Sequence, residues 1–510
     1  MSRVEACVSL ALVFAVLLLA PTPYFAGVGT PGSASSISFL PVAQNASAAP
    51  ASQTQAAHPS AGEALHRAES NLGQRAKTIR LREPVFYVKG GHSVFTAVSS
   101  VNATHRYSSS NASAVVAWAL AELRASRGGS VVFSNTSFPL SGSLLVGSNT
   151  TVYFNGSTIV MASPPKFNRG LFNVYGSQVN VEGIAAVKAQ NVSGVYVFDV
   201  FNSSQVNLNI KLNASGFARK LPDSWASYYV NLFNSTDVEV SGGIRGHSGD
   251  LVQLNSGYNV SITGLLASYM SDTDSSVVNV FDQAGRLSDV TLSNIVIEGG
   301  GELSVTPIVV YGYANSSLSQ VHIDNVSVSR TRGNADGVDV IGAVGVTVSG
   351  SRFYYTNVGL SVVSSDVYAT RIGGSYDRAP SVEVGDPVEN MTVSNVTVAD
   401  SYAYGCGVGN YAGSVAAAGF AVYGFPGKGT VNVTFTGDLS EPAWPRGQLY
   451  GFAATGLVSG IVVDGGIYSG VRAPLLPGSR TVHVEGALFL AAPYAHRLKV
   501  VPSVREEPAA

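Results

Sequence analysis

Cysteine is nearly absent: there are two in 510 residues, and Cys7 lies in an apolar run at the start of the chain. Neither a disulfide framework nor a thiolate-held zinc or iron–sulfur cluster can be built from Cys406 alone. Charge is scarce too. Asp, Glu, Lys and Arg make up 12% of the chain, against about 25% in an ordinary soluble domain. Thirty basic and 32 acidic residues leave a net charge of -2, which argues against a nucleic-acid partner held by a basic surface. Disorder throughout is excluded by the 45% of hydrophobic residues.

Arg3 precedes an apolar run from Ala6 to Ala20, followed by Pro21 and small residues. The run is shorter than the roughly 20 residues that span a bilayer comfortably. Positive start, short apolar centre and small-residue exit read as a signal peptide over 1–26, with a retained N-terminal anchor as the alternative. That anchor would be the only membrane contact. Residues 27–80 read as a low-complexity spacer, with a short helix near Glu63–Thr78. The folded domain is expected over 81–490, with a tail at 491–510.

Of 29 Asn, 16 begin an N-x-S/T triplet, where the Ser and Thr content predicts about six by chance. Those within the expected domain are Asn102, Asn111, Asn135, Asn149, Asn155, Asn191, Asn202, Asn213, Asn234, Asn259, Asn315, Asn325, Asn390, Asn395 and Asn432. Export would make them glycan acceptors on a secreted or cell-surface protein. An architecture that uses Asn, Ser and Thr in its turns would enrich the same triplets.

From about Val131 the chain repeats one cassette: a short alternating strand, a turn, then a second alternating strand. LFNVYGSQVNVEG, YYVNLFNSTDVEVSG and DGVDVIGAVGVTVSG are examples. The first apolar residue of each second strand gives the series Val179, Val206, Val238, Val260, Val290, Val321 and Val346, spaced by 22 to 32 residues. Period-2 alternation says that one face is buried and the other wet. A constant strand pair with irregular spacing puts the insertions in loops. About 28 residues per copy fits three short strands and three turns, so the expected class is all-β, a parallel β-helix of about 12 coils. Ahead of it, Asn111 and ASAVVAWALAELRASRGG predict a capping helix over 111–127, with Val115, Ala119 and Leu123 on one face.

That helix and the following RGGSVVFSNTSFPLSGSLLVGSNTTVYFNGSTI resemble the opening of the pectate-lyase-like superfamily, nearest to its polygalacturonase-type glycoside hydrolases. The resemblance covers residues 111–160 most specifically and 110–490 loosely. It implies a single-stranded right-handed parallel β-helix outside the cell, acting on or holding polysaccharide. Asn334-Ala335-Asp336-Gly337 is similar to the family's Asn-Thr-Asp-Gly motif, which makes Asp336 a catalytic candidate. Where the family has its Asp pair and its His, this chain has Asn357, Val358 and Pro380.

Alternation supplies a second pair. If Val338 and Val340 point inward, Asp339 points outward, and Ser361 and Glu383 take the same row in the next two coils. Asp339 and Glu383 would then be about 9.6 Å apart along the stack, near the limit for an inverting glycosidase. A wet strand face gives no reason for either to hold a proton. Asp272 and Asp274 could share a calcium ion, and with Arg330 or Arg332 would suit elimination on an anionic polysaccharide. No other cofactor is expected. Loop rings such as Tyr228 and Tyr354 could stack on sugar faces. Three functions follow: a degenerate hydrolase engaging polysaccharide, a calcium-dependent lyase, or a non-catalytic adhesive glycoprotein.

Overall fold

The computed structural model describes residues 84–491, apart from 92, 164–168, 193, 218–227, 247–249, 271–275, 283–285, 304–305, 313–317, 332–334, 355, 357, 371–372, 376–381, 385–388, 395–396, 400–417, 425–429, 442–449, 457, 471–472 and 476–481. The apolar run, the spacer and residues 492–510 of the tail lie outside the described residues. Among the described residues no helix is long and apolar enough to cross a membrane.

The anchor valines form one column. Val206 pairs in parallel with Val179 before it and Val238 after it, and the column continues through Val260, Val290, Val321 and Val346. Each is at most 2% exposed. The corner that delivers them inward is built from a left-handed residue just before each anchor. Gln178, Gln205, Asp237, Asn259, Asp289 and Gln320 have φ between 53° and 58°, and Gly345 has 68°. Polar side chains tolerate this conformation far better than β-branched ones, and here they precede the turn inward.

The same chemistry bears on the sequons. Asn149, Asn202, Asn234, Asn259, Asn325 and Asn432 all have positive φ, so they are corner residues. Corners stack on corners: Asn234 Nδ2 donates to Asn202 Oδ1 (2.6 Å) and Asn325 Nδ2 to Asn294 Oδ1 (2.8 Å). Part of the triplet excess therefore has an architectural cause.

Each coil supplies three strands, and the strands stack as three parallel rows. Among the described residues the first row holds thirteen strands from Leu144–Val146 to Ala473–Leu475. The second carries the anchor column. Long strands such as Ser204–Phe217 bend from the second row into the third, pairing with Ser235–Ser241 and then Ile244–Gly246. Inward residues of all three rows fill one core, including the ring stacks Phe133–Phe154 (4.8 Å) and Phe172–Phe198 (5.5 Å). The protein is a parallel β-helix.

Helix α1 (Ala112–Ala125) covers the first coil. Asn111 caps it by accepting from the Ala114 N–H (3.2 Å), and Ala112, Val115, Val116, Ala119, Leu120 and Leu123 are buried. One element departs from the parallel pattern. Val85–Gly90, Phe95–Ser99 and Arg106–Ser109 form an antiparallel meander, whose first strand then pairs in parallel with Gly129–Phe133. With α1 this meander occupies the end where open strand edges would otherwise invite association.

Candidate functional site

The first row of strands presents two adjacent lines of side chains on its outer face. The register strings Asn173, Asp199, Asn231, Gln253, Asn279, Val309, Asp339, Ser361 and Glu383 into one line. Part of it is a chain of hydrogen bonds: Asn231 Nδ2 donates to Asp199 Oδ1 (2.8 Å), Asn255 Nδ2 to Asn231 Oδ1 (3.3 Å) and Gln253 Nε2 to Asn255 Oδ1 (3.3 Å). These residues are buried, and the bonds satisfy groups that would be costly to bury alone. Two residues along each strand runs a line of rings. Phe201 stacks on Phe233 (5.3 Å, 10°) and Phe281 on Tyr311 (5.1 Å, 19°), while Ile341 follows Tyr311 in register.

Asp339 points outward as alternation suggests, but it is half-buried rather than wet. Its Oδ1 is buried with no hydrogen-bond partner among the described residues. Burial pushes its carboxyl above the ordinary carboxylate range, opposed by hydrogen bonds with Asp336, Thr306 and Ser361. Two neighbouring carboxyls disfavour both being ionised at once. A carboxyl with a raised titration is what a general acid needs, and alternation alone gave no reason to expect one here.

Asp336 is held for this contact from three sides. Its Oδ1 accepts from the Val358 N–H (3.0 Å), its own N–H donates to Thr306 Oγ1 (3.2 Å), and Thr331 Oγ1 donates to the Ala335 carbonyl (2.7 Å). Gly337 follows because nothing larger fits: a Cβ there would lie 2.5 Å from the Gly359 carbonyl oxygen and 2.5 Å from the Phe353 ring. Gly337→Ala is expected to lower stability by about 1–3 kcal/mol through overpacking. Thermal denaturation checks this, and an unchanged midpoint would contradict the close approach.

Glu383 lies two coils from Asp339 in strand Val382–Val384, paired through Ser361. Nothing is described of its side chain. Arg330 sits on the third row, exposed, and pairs with Glu298 of the preceding coil (3.5 Å). Tyr354 is exposed on the same third row, opposite Ser329, and so on a different face from Asp339. Tyr228 opens a first-row strand opposite Tyr196 and Asp250. Arg332, Asp272, Asp274, Asn357 and Pro380 lie outside the described residues. Asp282, one coil beyond Asp250, is fully buried and its Oδ1 accepts from the Arg286 N–H (3.0 Å). Among the described residues no group of three His, Cys, Asp or Glu could hold a metal ion.

Asp199 was not singled out by the sequence reading. It is 4% exposed, and burial raises its carboxyl, opposed by Asn231, Arg169 and the Gly170 N–H. The signal was present: Phe198-Asp199-Val200 repeats the apolar-Asp-apolar pattern of Val338-Asp339-Val340, on the same row. It became visible only once the register was known.

The fold and this face define a class: a parallel β-helix with a polar and aromatic strip on one outer sheet. No family model matches the chain, and no curated protein does. The resemblance to polygalacturonase-type hydrolases is thus not supported at the level of a particular family. Among solved structures it is similar to the A-module of a mannuronan C-5 epimerase from Azotobacter vinelandii, at 12% identity and TM-score 0.45, covering 74% of this chain and 95% of that one. It is also similar to the tailspike protein of E. coli bacteriophage HK620 in complex with a pentasaccharide, at 10% identity and TM-score 0.43, covering 74% and 76%.

Proposed function

We propose that this chain is an extracellular glycoside hydrolase of the parallel β-helix class, which lays a polysaccharide along the outer face of its first row. The observation that carries the reading is the desolvated Asp339, bonded to Asp336, in line with Glu383 and beside the Phe281–Tyr311 stack. Asp339 gives its proton to the glycosidic oxygen as the C–O bond breaks. Glu383 takes a proton from water as that water attacks the anomeric carbon from the opposite side. The two strands are two coil spacings apart, about 9.6 Å, which leaves room for the water and gives inversion. Export is supported by the signal-like run and the sequons, of which those outside the corners, such as Asn102 and Asn135, are the better glycan acceptors.

Phe281 and Tyr311 lie two coils and one coil before the Asp339 strand, where their faces would carry neighbouring sugars. Tyr311→Ala and Phe281→Ala are each expected to weaken polysaccharide binding by about 1 kcal/mol, roughly fivefold. Affinity electrophoresis against neutral and acidic polysaccharides measures this. Unchanged mobility in both variants would remove the ring line from the binding surface.

A further inference from the structure

We infer that the groove beside Asp199 is a second ligand site, which takes the carboxylate of an acidic sugar and releases it as pH rises. The groove has a volume of about 470 Å³ and is lined by Arg169, Asn173, Tyr175, Asp199, Phe201 and Leu145, among others. It lies five coil steps from Asp339 along the same row, through Asn231, Gln253, Asn279 and Val309. At about 4.8 Å per step the separation is about 24 Å, so one sugar cannot touch both sites. The site stands whether or not the Asp339 row cleaves anything.

Each part of a uronosyl-type ligand finds a partner there. Arg169 is exposed and offers a planar fork of donors that suits a carboxylate. Tyr175 is 57% exposed and, with Phe201, offers a ring face to a sugar ring. Asn173 Oδ1 accepts from the Gly170 N–H (3.1 Å), so its NH2 is the group it can offer a hydroxyl. A neutral sugar would leave Arg169 without a ligand partner, and a small carboxylate would leave the rings without one.

Asp199 sets the pH dependence. The groups around it are Arg169 and Gly170 before its strand, Tyr196 on its own strand, Asn173 on the preceding coil and Asn231 on the next. The Tyr196 hydroxyl is pushed up to about 12 by burial and by Asp199, so it stays neutral. That leaves Asp199 as the group that titrates. Protonated, its carboxyl tolerates and can donate to an incoming carboxylate. Ionised, it repels the ligand and competes for Arg169. Burial raises its titration, so the protonated, binding-competent form persists above the usual carboxylate range and is lost as pH rises further.

Isothermal titration of the full chain with D-glucuronate, D-glucose and acetate between pH 4 and 8 tests this. Glucuronate is expected to bind at least tenfold more tightly than either of the others. Its affinity should fall by up to tenfold per pH unit above the Asp199 titration. Arg169→Gln should abolish binding at every pH. Asp199→Asn should retain acid-pH affinity and flatten the profile, and Tyr175→Ala should weaken glucuronate without changing acetate. Asp339→Asn should change none of these, with melting curves confirming the fold of each variant. Equal affinity for glucose or acetate, no binding by wild type, or a wild-type pH profile in Asp199→Asn would each overturn the inference.

Discussion

Val260→Asp is expected to destabilise the protein by about 3–5 kcal/mol. Val260 is 1% exposed and sits in the anchor column between Val238 and Val290. A carboxylate there would lie in a dry stack of valines with no cation and no donor aimed at it. It must either ionise without solvation or hold its proton at a cost. Coils contact mainly their neighbours, so the damage falls on the interfaces to the coils before and after, and cooperativity should fall with stability. Val260→Ala, which removes methyl groups without adding charge, should cost less. Urea denaturation followed by circular dichroism reads both quantities. A Val260→Asp transition with the wild-type midpoint would mean that the column is not a continuous core.

That column was legible because three independent signals coincide at each copy. A polar residue that accepts the left-handed conformation, then Val, then strict alternation recurs at Gln205-Val206, Asn259-Val260 and Gln320-Val321. No propensity argument along one strand could supply the rest. Asp339 alternates outward as expected, yet Asp336, Thr306 and Ser361 close over its carboxyl from three different stretches of chain. Asp199 and Asp339 share a row only through five successive pairings across irregular insertions. The opening meander reads as alternating strands in FYVKG and FTAVS, but alternation does not distinguish antiparallel from parallel partners. Arg330 shows the converse. The sequence reading sets it with Asp272 and Asp274 as a base for elimination, and no sequence signal points to its pairing with Glu298 on the third row.

Asp339→Asn is expected to lower kcat by at least about 100-fold, the ordinary worth of a positioned general acid. Asn preserves shape and can still hydrogen-bond to Ser361 and Thr306, but it has no proton to give. Glu383→Gln removes the group that activates water and should cost about as much. Asp336→Asn acts differently. It replaces the carboxyl that neighbours Asp339 with a neutral amide, so it should shift the pH profile more than it lowers the maximum. The sign follows from the raised Asp339 titration: the acid form dominates at low pH and is lost on raising pH, so the alkaline limb of kcat/KM reports this pair. The Asp336 hydrogen bond holds the Asp339 titration down, so weakening it in Asp336→Asn moves that limb to higher pH. Binding should change little in any of the three, since the ring line is untouched.

Reducing-end release from a panel of neutral and acidic polysaccharides, by wild type and by Asp339→Asn, Glu383→Gln and Asp336→Asn, tests the central claim most directly. Wild type is expected to release sugar with inversion, and Asp339→Asn and Glu383→Gln to lose at least about 99% of that rate while still binding. Turnover by wild type that persists in Asp339→Asn and Glu383→Gln, or binding without any release by wild type, would contradict it.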